Sequence, residues 1–243
     1  MTAELNYPSI AKMIDHALLQ PFLDTAELEA GFRLALSYDV ATVCILPYYV
    51  KRANEALRGS TVKASTTIGF PHGAHATSIK LAEARQALED GASELDMVIN
   101  ISKARSGDWN YVSAEITSLT RETHAAGAKI KVIFENAYHD DKSKTELCRI
   151  CGEAGADWVK TSTGYAPTGA TLDDLRLMRK HSPAHVQVKA AGGIRDLNMI
   201  LAAREIGVTR VGASRTAEIL EDCRKRLGLP PITTVSAATT SSY

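Results

Sequence analysis

Gly152-Glu153-Ala154-Gly155 followed by Trp158-Val159-Lys160 closes a helical stretch on a glycine and opens a β-rich run shortly afterwards. The same phrase recurs at Ala87-Leu88-Glu89-Asp90-Gly91 before Glu94-Leu95-Asp96-Met97-Val98-Ile99. It returns at His124-Ala125-Ala126-Gly127 before Lys129-Ile130-Lys131-Val132-Ile133-Phe134, and at Arg204-Glu205-Ile206-Gly207 before Thr209-Arg210-Val211-Gly212. Each glycine stands where a helix C-cap needs a left-handed residue, so the phrase reads as repeated βα units. Ala41–Leu46, Lys63–Ile68 and Val186–Lys189 add three further strands, and the weaker Met13–Leu18 run completes a set of eight. In the clearest helix Asp24 caps, Glu27 answers it, and Leu28, Phe32, Ala35 and Leu36 share one face.

Eight strands separated by helices within 243 residues predict an α/β fold of one domain, the (β/α)8 TIM barrel, over residues 1–230. An open doubly wound sheet is the alternative, because the count of eight depends on the weak first strand. No G-x-G-x-x-G follows any strand, which removes the dinucleotide fingerprint from that alternative. After Pro230 the composition turns to Thr, Ser and Ala, which predicts a flexible C-terminal tail over 231–243.

Lys+Arg 28 against Asp+Glu 28 gives a formal charge of zero, which argues against nucleic acid as a bulk partner. Met1–Met13 has no apolar run of the signal-peptide kind, and nothing reaches the roughly 18 apolar residues of a membrane span. Cys44, Cys148, Cys151 and Cys223 are too few for a disulfide framework, and the expected location is the cytoplasm. Cys148 and Cys151 fall inside a predicted helix over Lys142–Ala154, where two sulfurs share a face, and no second pair completes a zinc site. His72 and His75 likewise lack a third ligand in view, so no metal is expected.

In a barrel of this kind the strand ends carry chemistry, which selects Asp15, Cys44, Asp96, Lys160 and Lys189. Two late glycine loops, Gly192-Gly193-Ile194-Arg195 and Gly212-Ala213-Ser214-Arg215, stand where backbone N–H groups receive a phosphate. A lysine is costly to bury unless its charge is neutralised or used. At a pKa of about 10.4, only about one lysine in 2,500 is neutral at pH 7. Burial and a second ammonium nearby can bring that value to roughly 7 to 8 and free an amine to form a Schiff base. Asp96, facing the same cavity, can move protons. The plainer readings are solvated strand-end lysines, a structurally paired Asp96, an Asp15–His16 hydrogen bond and a Cys44 that merely fills space.

At these positions the chain resembles the deoxyribose-phosphate aldolases, a class I aldolase family. The matching motifs are Ile14-Asp15-His16 with Leu18-Leu19, Val43-Cys44-Ile45, Glu94–Val98, Val159–Gly164, Val188–Arg195 and Gly212-Ala213-Ser214. The resemblance implies a barrel that reversibly cleaves 2-deoxy-D-ribose 5-phosphate into D-glyceraldehyde 3-phosphate and acetaldehyde, without metal or organic cofactor. It makes Lys160 the Schiff-base residue, Lys189 the neighbour that lowers its pKa and Asp96 the proton relay. Asp15, Cys44, Thr163, Gly164, Gly192, Gly193, Gly212 and Ser214 would line the substrate. The final Tyr243 resembles a C-terminal tyrosine that assists proton transfer in some members, and a homodimer is common in the family. Tyr165 departs from relatives with a lysine there, and Arg215 from those with a small or hydroxyl residue. A class I aldolase for another aldehyde or keto sugar, or a silent phosphate-sugar binding barrel, stay open beside this reading.

Overall fold

The structure, a computed structural model, describes residues 5–232. Its strands are β1 (Ile14–Leu18), β2 (Thr42–Ile45), β3 (Lys63–Ile68), β4 (Glu94–Val98), β5 (Lys129–Ile133), β6 (Trp158–Lys160), β7 (Gln187–Ala191) and β8 (Arg210–Ala213). Between and around them run α1 (Tyr7–Ala11), α2 (Thr25–Tyr38), α3 (Val50–Ala56), α4 (Thr77–Glu89) and α5 (Ile101–Arg105). The second half adds α6 (Trp109–Ala125), α7 (Asp141–Ala154), α8 (Leu172–His181), α9 (Leu197–Ile206) and α10 (Thr216–Arg226).

Every strand pairs in parallel with its sequence neighbour, and β8 returns to β1 through Ile14↔Val211, Asp15↔Gly212 and His16↔Ala213. That last ladder decides the closed (β/α)8 barrel against the open sheet, and the weak first run is a full member of it. The capping box of α2 forms as its sequence requires: Glu27 N–H donates to Asp24 at 2.9 Å and Asp24 N–H to Glu27 at 2.8 Å. Gly155 and Gly207 end α7 and α9 with φ of 73° and 98°, conformations in which a Cβ would be strained.

The expected boundary of β7 needs correction. The strand runs past Lys189 through Ala190 and Ala191, because Ala191 pairs with Gly212 on β8. The barrel's apolar core lies outside the sheet, where Val43, Leu95, Met97, Val132, Val159, Val188 and Val211 meet the helices. Inside, alternation delivers charged side chains instead of the branched aliphatics usual in such barrels. Cys148 and Cys151 are buried free thiols on α7, and burial pushes the Cys148 thiol up to about 11, which leaves it unreactive. Ile232 donates its N–H to Glu221 at 3.0 Å, and the rest of the expected tail, with Tyr243, lies outside the described residues. Among the described residues no helix is long and apolar enough to cross a membrane.

Candidate active site

Register brings the candidate residues together. Lys160 closes β6 and pairs with Lys189 on β7, while Asp96 on β4 pairs with Lys131 on β5. Because side chains alternate along a strand, these four point into the barrel. Lys160 Nζ donates to Asp96 Oδ2 at 2.7 Å, and Lys189 Nζ donates to the same oxygen at 2.7 Å. Lys189 also reaches Asp15 Oδ2 at 2.5 Å, and Lys131 donates to the other Asp96 oxygen at 2.8 Å. Asp15 and Asp96 are fully buried, with Thr42 Oγ1 donating to Asp15 at 2.7 Å.

The two lysines of the sequence reading therefore differ in surroundings. Burial pulls the Lys160 pKa down, Asp96 opposes this, and the Lys189 charge adds to the depression. Burial also disfavours the Lys189 ammonium, but Asp15 and Asp96 together outweigh it and hold its pKa above the ordinary value. Asp96 is held well below the usual carboxylate range, its burial overcome by Lys131, Lys160 and Lys189. Lys160 is thus the amine that tends to neutrality, and Lys189 the fixed cation.

Above this network opens a cavity of about 220 Å³. Lys160, Lys189, Asp15 and Cys44 form its floor side, and Thr163, Gly164, Gly192, Gly193, Gly212 and Ser214 also line it. Asp96 is sealed beneath the cavity instead of lining it, so it reaches a ligand only through a lysine or a water. Burial raises the Cys44 pKa, which keeps its thiol protonated. Arg215 turns outward to Glu218 and does not meet the cavity. Tyr165 does line it, donating its hydroxyl to Leu19 O at 2.8 Å and packing edge-on against Phe70 at 5.4 Å. Asp15 and His16 are not a hydrogen-bonded pair: alternation sends Asp15 inward and His16 outward, where its Nδ1 meets Thr216 Oγ1 at 2.8 Å. His72 and His75 are exposed on the loop between β3 and α4.

Four participants escape a reading of strand ends. Lys131 bridges Asp96 and Glu94, the latter at 2.5 Å, and Arg210 clasps Glu94 at 2.9 and 3.1 Å while reaching Asp15 at 2.7 Å. Glu135, just past β5, adopts a left-handed conformation with φ 60° and accepts hydrogen bonds from the Thr163 hydroxyl and, at 3.3 Å, the Thr163 N–H. The signal for Glu94 was its spacing of two from Asp96, which puts both carboxylates on one face of β4, where buried acids need cationic partners.

Residues 9–214 match the DeoC/LacD family aldolases. The chain belongs to this family. It is 59% identical to the deoxyribose-phosphate aldolase of Rhodopirellula baltica, over 99% of this chain and 100% of that one. The deoxyribose-phosphate aldolase of Thermococcus gammatolerans is 46% identical, over 88% of this chain and 96% of the relative. Among solved structures, the deoxyribose phosphate aldolase of Aeropyrum pernix, described as tetrameric, superposes with a TM-score of 0.83. It shares 31% identity over 89% of this chain and 92% of that one. Family membership makes the protein a carbon–carbon lyase on a TIM barrel, and the family's span of residues takes in every described strand and loop that lines the cavity.

Proposed function

We propose that this cavity cleaves 2-deoxy-D-ribose 5-phosphate reversibly through a Schiff base on Lys160. The neutral Lys160 amine adds to the C1 aldehyde of the open-chain sugar, and the carbinolamine takes up a proton from solvent and loses water, giving the iminium. The C3 hydroxyl then gives its proton through water towards the Asp96 network. The C2–C3 bond breaks, D-glyceraldehyde 3-phosphate departs, and the bonding pair remains on C2 as an enamine. Protonation at C2 and addition of water release acetaldehyde and restore the amine. Lys189 stays charged throughout and holds Asp96 and Asp15 in place. The N–H groups of Gly192, Gly193 and the Gly212–Ser214 turn receive the phosphate. Arg215 is turned away to Glu218, and among the described residues that line the cavity the only cationic side chains are Lys160 and Lys189.

The observation that carries this reading is the asymmetry of the two amines around one carboxylate: Lys160 opens to the cavity with its pKa lowered, while Lys189 has a second carboxylate of its own. A silent binding barrel has no use for that arrangement. Borohydride reduction with acetaldehyde, followed by peptide mapping, tests it. A stable ethyl group on Lys160 is expected, and a label confined to Lys189 overturns the assignment. Tyr243 is assigned the exchange of the acetaldehyde C2 proton, so its deletion is expected to slow that exchange, and an unchanged rate removes it from the scheme.

A further inference from the structure

Besides β6, which carries Lys160, every strand of the barrel except β3 sends a titratable or charged group into the barrel interior. They are Asp15 from β1, Cys44 from β2, Glu94 and Asp96 from β4, Lys131 from β5, Lys189 from β7 and Arg210 from β8, while β3 brings only Ser65 and Thr67. The ion pairs among them form one connected set. Arg210 joins Asp15 and Glu94, Lys131 joins Glu94 and Asp96, and Lys189 joins Asp96 and Asp15. Three cations and three carboxylates therefore close on each other in a ring in which each cation bridges at least two of the acids, Lys131 also lying 3.6 Å from Asp15. Lys160 touches this ring only at Asp96 Oδ2, an oxygen that Lys189 already uses. The cationic face of the ring is further supported by Trp158, whose indole lies 5.0 Å from the Arg210 guanidinium and 5.6 Å from Lys131 Nζ. Glu135, the remaining acid near Lys160, is turned to Thr163, and burial raises its pKa.

We propose that Glu94 and Arg210, which lie below the cavity and touch no substrate, are positioning residues for the aldol reaction: they complete a charge-balanced ring that leaves Lys160 without a counter-ion of its own. This inference rests on Lys160 being the Schiff-base amine. A protonated Lys160 would bring the buried assembly to a net positive charge, which a low-dielectric interior penalises. The neutral amine leaves the assembly even. The lowered Lys160 pKa follows from the whole ring, of which Lys189 is one member.

Charge counting makes a signed forecast that packing cannot imitate. Arg210→Met removes a cation, leaves an uncompensated carboxylate and favours protonated Lys160. Glu94→Gln removes an anion, leaves an uncompensated cation and disfavours it. For unit charges about 10 Å apart at an effective dielectric near 20, a change of one charge corresponds to a shift of about one pH unit. The double variant restores the balance.

The measurement is the pH dependence of borohydride-trapped acetaldehyde on Lys160, quantified by peptide mapping in the folded full-length enzyme. Relative to the unsubstituted chain, the midpoint is expected to rise by about one unit in Arg210→Met, to fall by about one unit in Glu94→Gln, and to return in the double variant. Arg210→Lys, which keeps charge but loses the two-pronged contact, is expected to keep the midpoint, and if Arg210→Met does not fold the fall in Glu94→Gln carries the test. Shifts of the same sign in the two single variants, no shift in either, or a shift in Arg210→Lys as large as that of Arg210→Met would each overturn the inference. Failure of the unsubstituted enzyme to label at Lys160 would instead overturn the Schiff-base assignment itself.

Discussion

Lys160 and Lys189 donate to one and the same oxygen of Asp96, each at 2.7 Å. Sharing an acceptor sets the two amines in competition for one negative charge, and Asp15 settles it by giving Lys189 a second carboxylate. Lys189→Met should therefore release Asp96 Oδ2 to Lys160 alone and remove a nearby positive charge. Both changes favour the protonated amine, so the Lys160 pKa rises. The ascending, acid-side limb of the kcat/KM profile is expected to move up by at least about one pH unit, with activity at pH 7 falling accordingly. An unmoved limb in a folded variant would remove Lys189 from the control of Lys160.

The barrel and the two strand-end lysines that meet inside it were legible in the chain because both depend on local order. Glycine after helix and lysine after strand recur at one scale, and β3 and β6 begin and end where their composition says. The ring beneath was harder to see. Lys131 lies in Lys129-Ile130-Lys131-Val132, an alternation that reads equally well as an outer polar face, since a period of two does not say which face is inside. Only the closed register, with Asp96 opposite Lys131 and Lys189 opposite Arg210, shows that the polar face is the interior one. Glu135 was invisible for another reason: it sits in a left-handed backbone conformation that local sequence preference does not predict for glutamate, and its carboxylate meets Thr163, which lies far along the chain.

That loop contact has a measurable consequence. Glu135 anchors Thr163, whose Oγ1 accepts from Tyr165 N–H at 3.0 Å, and Tyr165 in turn donates to Leu19 O, so one side chain orders the rim from β6 across to β1. Glu135→Ala should loosen the Thr163–Tyr165 turn while leaving Lys160 beside Asp96. A rise in KM for the phosphorylated sugar of about tenfold or more is expected, with acetaldehyde labelling of Lys160 retained, because one well-made charged hydrogen bond contributes about 1.5–3 kcal/mol. Glu135→Gln, which keeps an acceptor, should fall between. Equal loss of labelling and of sugar affinity would show a wider collapse instead of a positioning role.

A second buried ion pair lies away from the cavity. Lys80 on α4 donates to Glu115 on α6 at 2.8 Å and to Val98 O at 2.7 Å, and Asn100 N–H donates to the same carboxylate at 2.9 Å. Burial lowers the Lys80 pKa and raises that of Glu115 in spite of their attraction, the signature of two charges whose desolvation is not fully offset. Glu115→Ala should cost about 3–5 kcal/mol in denaturant unfolding, because it strands the ammonium. The pair Lys80→Met with Glu115→Leu should recover most of that loss. If the double variant is as unstable as the single one, the hydrogen bonds to Val98 and Asn100 dominate over charge.

His16 sets an acid limit on the fold. Its ring is buried behind β1 and held by Thr216, and burial lowers its pKa from 6.5 to about 4. Below pH 6.5 the unfolded chain takes up a proton that the folded chain refuses until about pH 4. Stability from this residue is therefore complete above about pH 6.5 and drains away as the pH falls towards 4, by about 3 kcal/mol in all. Unfolding free energies in urea at pH 7, 5.5 and 4.5 should show this slope, and His16→Gln should flatten it even if the variant is less stable at pH 7. Asp15 and Asp96 begin to lose stability only as the pH falls below the ordinary carboxylate value of about 4, since Lys131 and Lys189 beside them overcome burial and hold their folded pKa values lower still. A His16→Gln profile parallel to that of the unsubstituted chain between pH 7 and 4.5 would assign the acid sensitivity to another group.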